Sequence, residues 1–285
     1  MARLVAIVAL VLLLALALAG QADARGKPRV AAIQVALMSR GLYHGTIDGY
    51  AGPMTRNGVR RFQERRGLAA DGIVGRRTRR AFGRLGRPLI GRRLIHSGMV
   101  GFDVSELQFM LAWHGFPSGN FDGGFGPRTR AALFGFQRYA RLVPDGVAGP
   151  ATVRALRRRL PRSPIRLRRP VSAPVGDGFG PRGARFHAGV DFPAAKGTPV
   201  RAARSGWVVF AGRADGFGKL VEINHVRGVA TWYAHLSRIL VRPGWHVRAG
   251  RIIGRVGATG EATGPHLHLQ VMVRGAATNP LTALR

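Results

Sequence analysis

The chain from Val30 to Leu160 repeats itself with a constant offset of 74 residues, and no other feature limits the fold as strongly. Ile33-Gln34 returns as Leu107-Gln108, Asp48-Gly49 as Asp122-Gly123 and Gly52-Pro53 as Gly126-Pro127. Thr55-Arg56 returns as Thr129-Arg130, Phe62-Gln63 as Phe136-Gln137 and Asp71-Gly72 as Asp145-Gly146, all without a gap. Self-similarity at a fixed period means two copies of one supersecondary unit.

Each copy spells three short helices joined by glycine turns. Val30, Ile33, Leu37 and Met38 recur at helical spacing, and Gly41 ends the first helix. Asp48-Gly49 makes a turn, Thr55 or Thr129 is placed to cap the second helix with its hydroxyl, and Val59 and Phe62 face the core. Thr78 belongs to a third helix ending near Phe82. Gly58 stands in mid-helix where the second copy has Ala132, a local cost of roughly 1 kcal/mol. The combined pattern of Leu-Gln, Asp-Gly, Gly-Pro-x-Thr and Phe-Gln resembles the three-helix peptidoglycan-binding domain that accompanies many cell-wall hydrolases. The resemblance covers residues 28–85 and 100–160. It implies adhesion to peptidoglycan, with most of the quoted residues serving as core and turns.

Forty-five basic residues against 13 acidic ones give a net charge of +32, and only Lys27, Lys196 and Lys219 are lysines. Such a balance implies polyanionic surroundings. No nucleic-acid motif accompanies the charge. Met1 to Ala24 instead has the layout of a signal peptide: a basic Arg3, an apolar run from Leu4 to Ala19, and small residues with cleavage expected after Ala22 or Ala24. That run is short for a membrane span, so membrane contact is expected only through this segment if it stays uncleaved. The expected location is secreted or periplasmic and wall-associated. Anionic envelope polymers are the expected partners of the charge, and nucleic acid is not.

Residues 161–173 form an Arg- and Pro-rich linker after Arg157-Arg158-Arg159. Prolines interrupt regular structure and like charges repel, so it reads as an extended, mobile tether.

From residue 174 to 285 the texture changes to short β-prone runs between glycine turns, among them Trp207 to Phe210, Leu220 to Ile223, Ala230 to Tyr233, Arg251 to Ile253 and Leu267 to Val273. This spacing argues for an antiparallel, sheet-rich domain. Within Gly264-Pro265-His266-Leu267-His268, the period of two sends His266 and His268 to one face of a strand. A second cluster, His187-Ala188-Gly189-Val190-Asp191, adds another imidazole and a carboxylate. The chain has no cysteine, so disulfides and thiolate metal sites are excluded and any metal is held by His, Asp or Glu. Two imidazoles and one carboxylate with a fourth position left for water are the donor set of a catalytic zinc site.

The surrounding words, Gly180-Pro181-Arg182, His187 to Phe192, Gly197-Thr198-Pro199-Val200, Trp232-Tyr233-Ala234-His235-Leu236-Ser237, Gly257-Ala258-Thr259-Gly260 and Thr263 to His268, appear in family order and resemble the lysostaphin-like (LytM-type) zinc endopeptidases of bacterial cell walls. The resemblance implies that His187, Asp191 and His268 are the zinc ligands and that His235 and His266 are their unligated catalytic neighbours. Which of these two is the base stays open. Gln270 is given no ligand role, Arg182 is a candidate for holding a substrate carboxylate, and Tyr233 is expected to pack in the sheet. His225 and His246 are expected to lie outside the chemistry.

The expected architecture is therefore multidomain: two small all-α three-helix repeats followed by an antiparallel β-sheet-rich metallopeptidase domain. The expected function is secreted peptidoglycan hydrolysis at peptide cross-links or stem peptides. The alternative is a non-catalytic wall-binding regulator of another hydrolase.

Overall fold

The computed structural model describes residues 26–285, and the leader expected over residues 1–24 lies outside the described residues. The first copy of the repeat folds into helices α1 (Pro28–Met38), α2 (Pro53–Glu64) and α3 (Arg76–Ala81), and the second into α4 (Phe102–Trp113), α5 (Pro127–Tyr139) and α6 (Pro150–Leu156).

A buried glutamine organises each turn between helices. The Gln34 side chain is fully buried, donates to Asp48 Oδ1 at 2.7 Å, the Tyr50 carbonyl at 3.2 Å and Thr55 Oγ1 at 3.2 Å, and accepts from the Gly49 N–H at 2.8 Å. Gln108 makes the same contacts with Asp122, the Gly124 carbonyl, Thr129 and Gly123. Gln63 does so with Asp71, the Ile73 carbonyl, Thr78 and Gly72, and Gln137 with Asp145, the Val147 carbonyl, Thr152 and Gly146. The four glycines all have φ between 73° and 77°, a region open to them because they lack a Cβ. One Gln-Asp-Gly-Thr network thus occurs twice in each copy. A buried amide left unpaired would cost about 1–3 kcal/mol, so each network ties its turn firmly to a helix.

This pattern corrects the reading of Thr55 and Thr129 as helix caps. The residues at the cap positions are Gly52 and Gly126, with no side-chain cap bond, and Pro53 and Pro127 open the helices. Proline suits the first helical position because its missing N–H has no helical partner there. The threonine hydroxyls bond the networks instead.

The two copies pack against each other through α1 and α4, with Ala31 and Val35 meeting Phe109, Ala112 and Trp113 in one apolar cluster. Every residue of α4 is buried, including Asp103 and Glu106. Arg93 pairs with Asp103 at 2.7 Å and Glu106 accepts from the Ile90 N–H at 2.8 Å, so neither carboxylate lacks a partner.

The C-terminal unit begins with a hairpin of β1 (Gly180–Arg182) and β2 (Arg185–His187), followed by β3 (Val190–Pro193) and β4 (Pro199–Arg201). The remaining strands are β5 (Gly206–Ala214), β6 (Gly218–Asn224), β7 (Val229–Ala234), β8 (Arg238–Ile239), β9 (His246–Val247), β10 (Ile252–Arg255), β11 (His266–Val273) and β12 (Ala276–Thr278). The main sheet runs β12-β11-β7-β6-β5-β9 with β3 also paired to β11, and a smaller sheet runs β4-β10-β8. All pairings among these strands are antiparallel, as the strand spacing predicts. Leu267, Leu269 and Val271 of β11 join Val190 and Phe192 of β3 in the core, which leaves His266, His268, Gln270 and Asp191 on the opposite face.

Residues 161–173 are not a mobile tether. Ile165, Leu167 and Val171 are buried in the core of the C-terminal unit. Leu167 donates to the Ala283 carbonyl at 2.9 Å, Arg285 donates back to Leu167 at 3.0 Å, and Arg168 donates to the Ala203 carbonyl at 2.8 Å. The prolines and arginines obscure an alternation, Ile165-Arg166-Leu167-Arg168, whose apolar members point in and whose arginines point to water.

Gly58 also reads differently in three dimensions. A Cβ on it would lie 2.7 Å from the Leu42 carbonyl oxygen and 3.2 Å from Leu37 Cδ1, so the glycine admits a close approach of the chain. Helix propensity favours alanine by about 1 kcal/mol, whereas overpacking costs about 1–3 kcal/mol. Gly58→Ala is therefore expected to lower the melting temperature of the full chain. An unchanged or raised melting temperature would show that the contact is easily relieved.

Candidate metal centre

Antiparallel pairing of β3 with β11 sets Asp191 directly opposite His268. His187 is the last residue of β2, and Ala188-Gly189 carries the chain from it to β3. A Cβ on Gly189 would sit 2.5 Å from the Leu269 carbonyl oxygen and 2.6 Å from His268 Cε1, so only glycine lets the connection pass beneath the His268 ring. The His187-Ala-Gly-Val-Asp191 spacing follows from this crossing.

Three potential ligand atoms converge there. His268 Nδ1 is 2.7 Å from Asp191 Oδ1 and 3.0 Å from His187 Nε2, and His187 Nε2 is 3.1 Å from Asp191 Oδ1. All three residues are at least nine-tenths buried. A tetrahedral zinc with bonds of about 2.0–2.2 Å spans ligand pairs roughly 3.3 Å apart, close to these edges. The protonation pattern fits as well. His187 Nδ1 lies 2.8 Å from the Gly178 carbonyl, which can only accept, so Nδ1 carries a hydrogen, and in the neutral ring Nε2 presents a lone pair. His268 faces the cluster with Nδ1, and its Nε2 lies 3.1 Å from the Gln270 side-chain amide, placed to orient the ring. Two imidazole nitrogens and a carboxylate oxygen crowded together are the donor set of a cation, and these residues could hold a metal ion.

Electrostatics agree with that density of donors. Burial raises the Asp191 carboxyl, but hydrogen bonds and charge from His187 and His268 outweigh it and hold the group far below the ordinary range. Burial brings His268 down to about 4, against the opposing hydrogen bond to Asp191.

Two further imidazoles stand beside the triad. His235 follows β7 with φ of 60°, an uncommon conformation for a residue with a Cβ, held by its N–H on the Phe217 carbonyl at 2.9 Å. Its Nδ1–H donates to the Thr259 carbonyl at 2.8 Å, and His266 Nδ1–H donates to the Gly264 carbonyl at 2.8 Å. In its neutral form each ring therefore presents Nε2 as an acceptor. The rings are 4.7 Å apart, and His266 Nε2 is 3.8 Å from Asp191 Oδ1. Burial lowers the His235 pKa, which favours its neutral form. A groove of about 620 Å³ opens over these residues, bordered by Asp177, Arg182, Phe217, Glu261 and Pro265 and, from the second repeat, Pro117.

Of the other sequence candidates, Arg182 joins the edge of this cluster, while Tyr233, His225 and His246 lie outside the groove. Arg182 is half exposed at the groove, and its Nη2 pairs with Asp177 at 2.9 Å and with Asp191 Oδ2 at 2.8 Å. Tyr233 is buried and its hydroxyl accepts from the Ala203 N–H at 2.8 Å. His225 bonds the Ser205 carbonyl and Thr231 Oγ1, and His246 stacks edgewise on Trp207 at 5.1 Å. Sequence reasoning missed Gln270 as a partner of His268. The period of two that paired His266 with His268 extends to it and could have found it.

Known proteins resemble the chain in both its helical and its sheet-rich parts. Residues 185–280 match the model of peptidase family M23, and residues 26–82 and 101–156 match that of the peptidoglycan binding domain. DD-carboxypeptidase/endopeptidase Mpg of Neisseria meningitidis is 48% identical over 98 residues, which cover 34% of this chain and 23% of that protein. Peptidoglycan DD-endopeptidase ShyC of Vibrio cholerae is 38% identical over 136 residues, 45% of this chain and 30% of that protein. The chain thus spans about a quarter of the length of the curated relatives it matches. Among solved structures, the catalytic domain of lysostaphin from Staphylococcus simulans is 40% identical, covering 38% of this chain and 90% of that one with a TM-score of 0.37.

One acid-stability prediction follows from His225. Burial lowers its pKa in the folded chain, so the unfolded chain binds a proton that the folded one refuses. Its contribution to stability is complete above the ordinary histidine pKa of about 6.5 and is lost as the pH falls below it. Thermal unfolding between pH 8 and pH 5, taken as roughly the range of histidine titration, should show a smaller acid loss for His225→Gln than for the parent. Equal losses would assign the effect to other groups.

Proposed function

We propose, on the premise that this chain carries a peptidase family M23 domain behind two peptidoglycan-binding domains, that it is a zinc endopeptidase that hydrolyses peptide cross-links or stem peptides of peptidoglycan. The observation that carries the reading is the convergence of His187 Nε2, Asp191 Oδ1 and His268 Nδ1 at 2.7–3.1 Å beside two more imidazoles in one groove. The names of Mpg and ShyC, a DD-carboxypeptidase/endopeptidase and a peptidoglycan DD-endopeptidase, point to the same substrate.

In this reading His187, Asp191 and His268 hold the zinc. Bound there, zinc supplies a Lewis acid that polarises a carbonyl and brings the pKa of a water down to about 7. His235 and His266 handle the protons. Each neutral ring offers an acceptor at Nε2, so one of them takes the proton from the attacking water. A ring that has taken a proton becomes a donor at the same atom, suited to the oxyanion that develops and to the leaving amine. Burial of His235 favours the neutral form needed for the first of these roles.

The helical repeats and the arginine-rich surface hold the chain on the wall and its anionic polymers. The leader directs it out of the cytoplasm, to a secreted or periplasmic location. A purely regulatory role would need none of the five groove residues, and all five are in place.

The test is digestion of purified sacculi by the full chain, with products identified by mass spectrometry. With zinc, cross-linked fragments should diminish. With chelator, or in His268→Ala and Asp191→Ala, they should persist. His235→Ala should still bind zinc yet turn over about 10²- to 10⁴-fold more slowly, as expected for loss of a proton-transfer group. Sacculi left intact by the zinc-loaded parent would overturn the proposal.

A further inference from the structure

The hairpin of β1 and β2 touches both helical repeats at its tip. The Ile47 N–H donates to the Gly183 carbonyl at 2.9 Å, and the Phe121 N–H donates to the Ala184 carbonyl at 2.7 Å. Positions 47 and 121 are equivalent in the two copies, so the duplication delivers the same donor twice, to neighbouring carbonyls. The preceding residues are also used: Thr46 Oγ1 accepts from the Gly183 N–H at 3.3 Å, and Asn120 Oδ1 accepts from Arg185 Nε at 2.9 Å. Beneath the tip, the ring of Phe186 lies 5.3 Å from Trp113 of α4, and Phe179 lies 4.9 Å from Phe186.

The same hairpin borders the metal centre. Phe186 adjoins His187 in β2. Arg182, the last residue of β1, donates to Asp191 Oδ2 at 2.8 Å while Asp191 Oδ1 faces His187 and His268. A carboxylate with one oxygen turned to the donor cluster and the other bound by a guanidinium has its rotation fixed. The second pairing of Arg182, with Asp177, anchors the guanidinium to the segment leading into the hairpin.

We propose that Arg182 is a positioning residue for Asp191, and that the two helical repeats, by gripping the hairpin tip through Thr46-Ile47 and Asn120-Phe121, hold Arg182 and His187 in place for the metal. The repeats then serve the metal centre itself, apart from any attachment to the wall. The inference rests on the zinc reading of the triad but not on catalysis.

Zinc affinity of the full chain, measured by competition with a chromogenic chelator in the absence of wall material, tests it. Arg182→Gln should weaken zinc binding about 10- to 100-fold, the usual effect of losing a partner behind a metal ligand. The melting temperature of the zinc-free protein should change little, because the Arg182 side chain is half exposed and Asp191 keeps His187 and His268 as partners. Arg182→Lys should recover part of the affinity. The double variant Thr46→Ala with Asn120→Ala, and separately Trp113→Ala, should weaken zinc binding in the same direction. The double variant changes residues outside the buried core, so it carries the test if Trp113→Ala does not fold. Parental zinc affinity in Arg182→Gln, or in the folded double variant, overturns the proposal. A parent that binds zinc but leaves sacculi intact would defeat the enzymatic reading and leave this inference standing.

Discussion

The register between β3 and β11 is the constraint on which the C-terminal unit depends. It sets Asp191 across from His268 and, through the alternation of both strands, sends Val190, Phe192, Leu267 and Leu269 into the core on the other face. A slip of one residue would exchange these faces, bringing histidines into the apolar interior and leucines into the groove. The cost of burying unpaired imidazoles and exposing large side chains makes that slip prohibitive. The apolar core thus sets where the donor atoms of the cluster lie.

Much of this was legible beforehand, for reasons that can be named. The duplication is visible because its copies are aligned without gaps. The shared face of His266 and His268 follows from strand periodicity alone, and the five β-prone runs fall on strands of the structure, with only Arg251 lying outside, just before β10. Other features depend on contacts between distant segments. Ile165 and Leu167 read as spacer because arginines and prolines surround them, yet their apolar side chains fill a core formed more than 20 residues away. Gly58 looks like a weak helix residue until the Leu42 carbonyl is placed against it. Gln34, Gln63, Gln108 and Gln137 were visible as repeated letters, but nothing in one dimension tells a buried amide network from a surface side chain.

Duplication also shows how one pattern takes two environments. Helices α1 and α4 occupy equivalent positions, but α4 is enclosed on all sides while the first copy leaves Arg29, Ile33 and Met38 of α1 partly or fully exposed. The difference arises from what surrounds them: α4 lies between its own repeat, the other repeat and the hairpin, and Phe109 and Trp113 supply the apolar surface for those contacts. The buried charges of α4 are tolerated because Arg93 and the Ile90 N–H meet them.

The packing of residues 161–173 changes what kind of machine the chain is. A catalytic unit on a loose string would sample a sphere around its anchor and cut whatever bond drifted within range. Here Ile165, Leu167 and Val171 are embedded in the core of the C-terminal unit, and its hairpin is bonded to both helical repeats at two equivalent points, so the groove lies beside them. In the proposed reading, a polymer held by those repeats would meet the groove at an offset that the contacts between the units set.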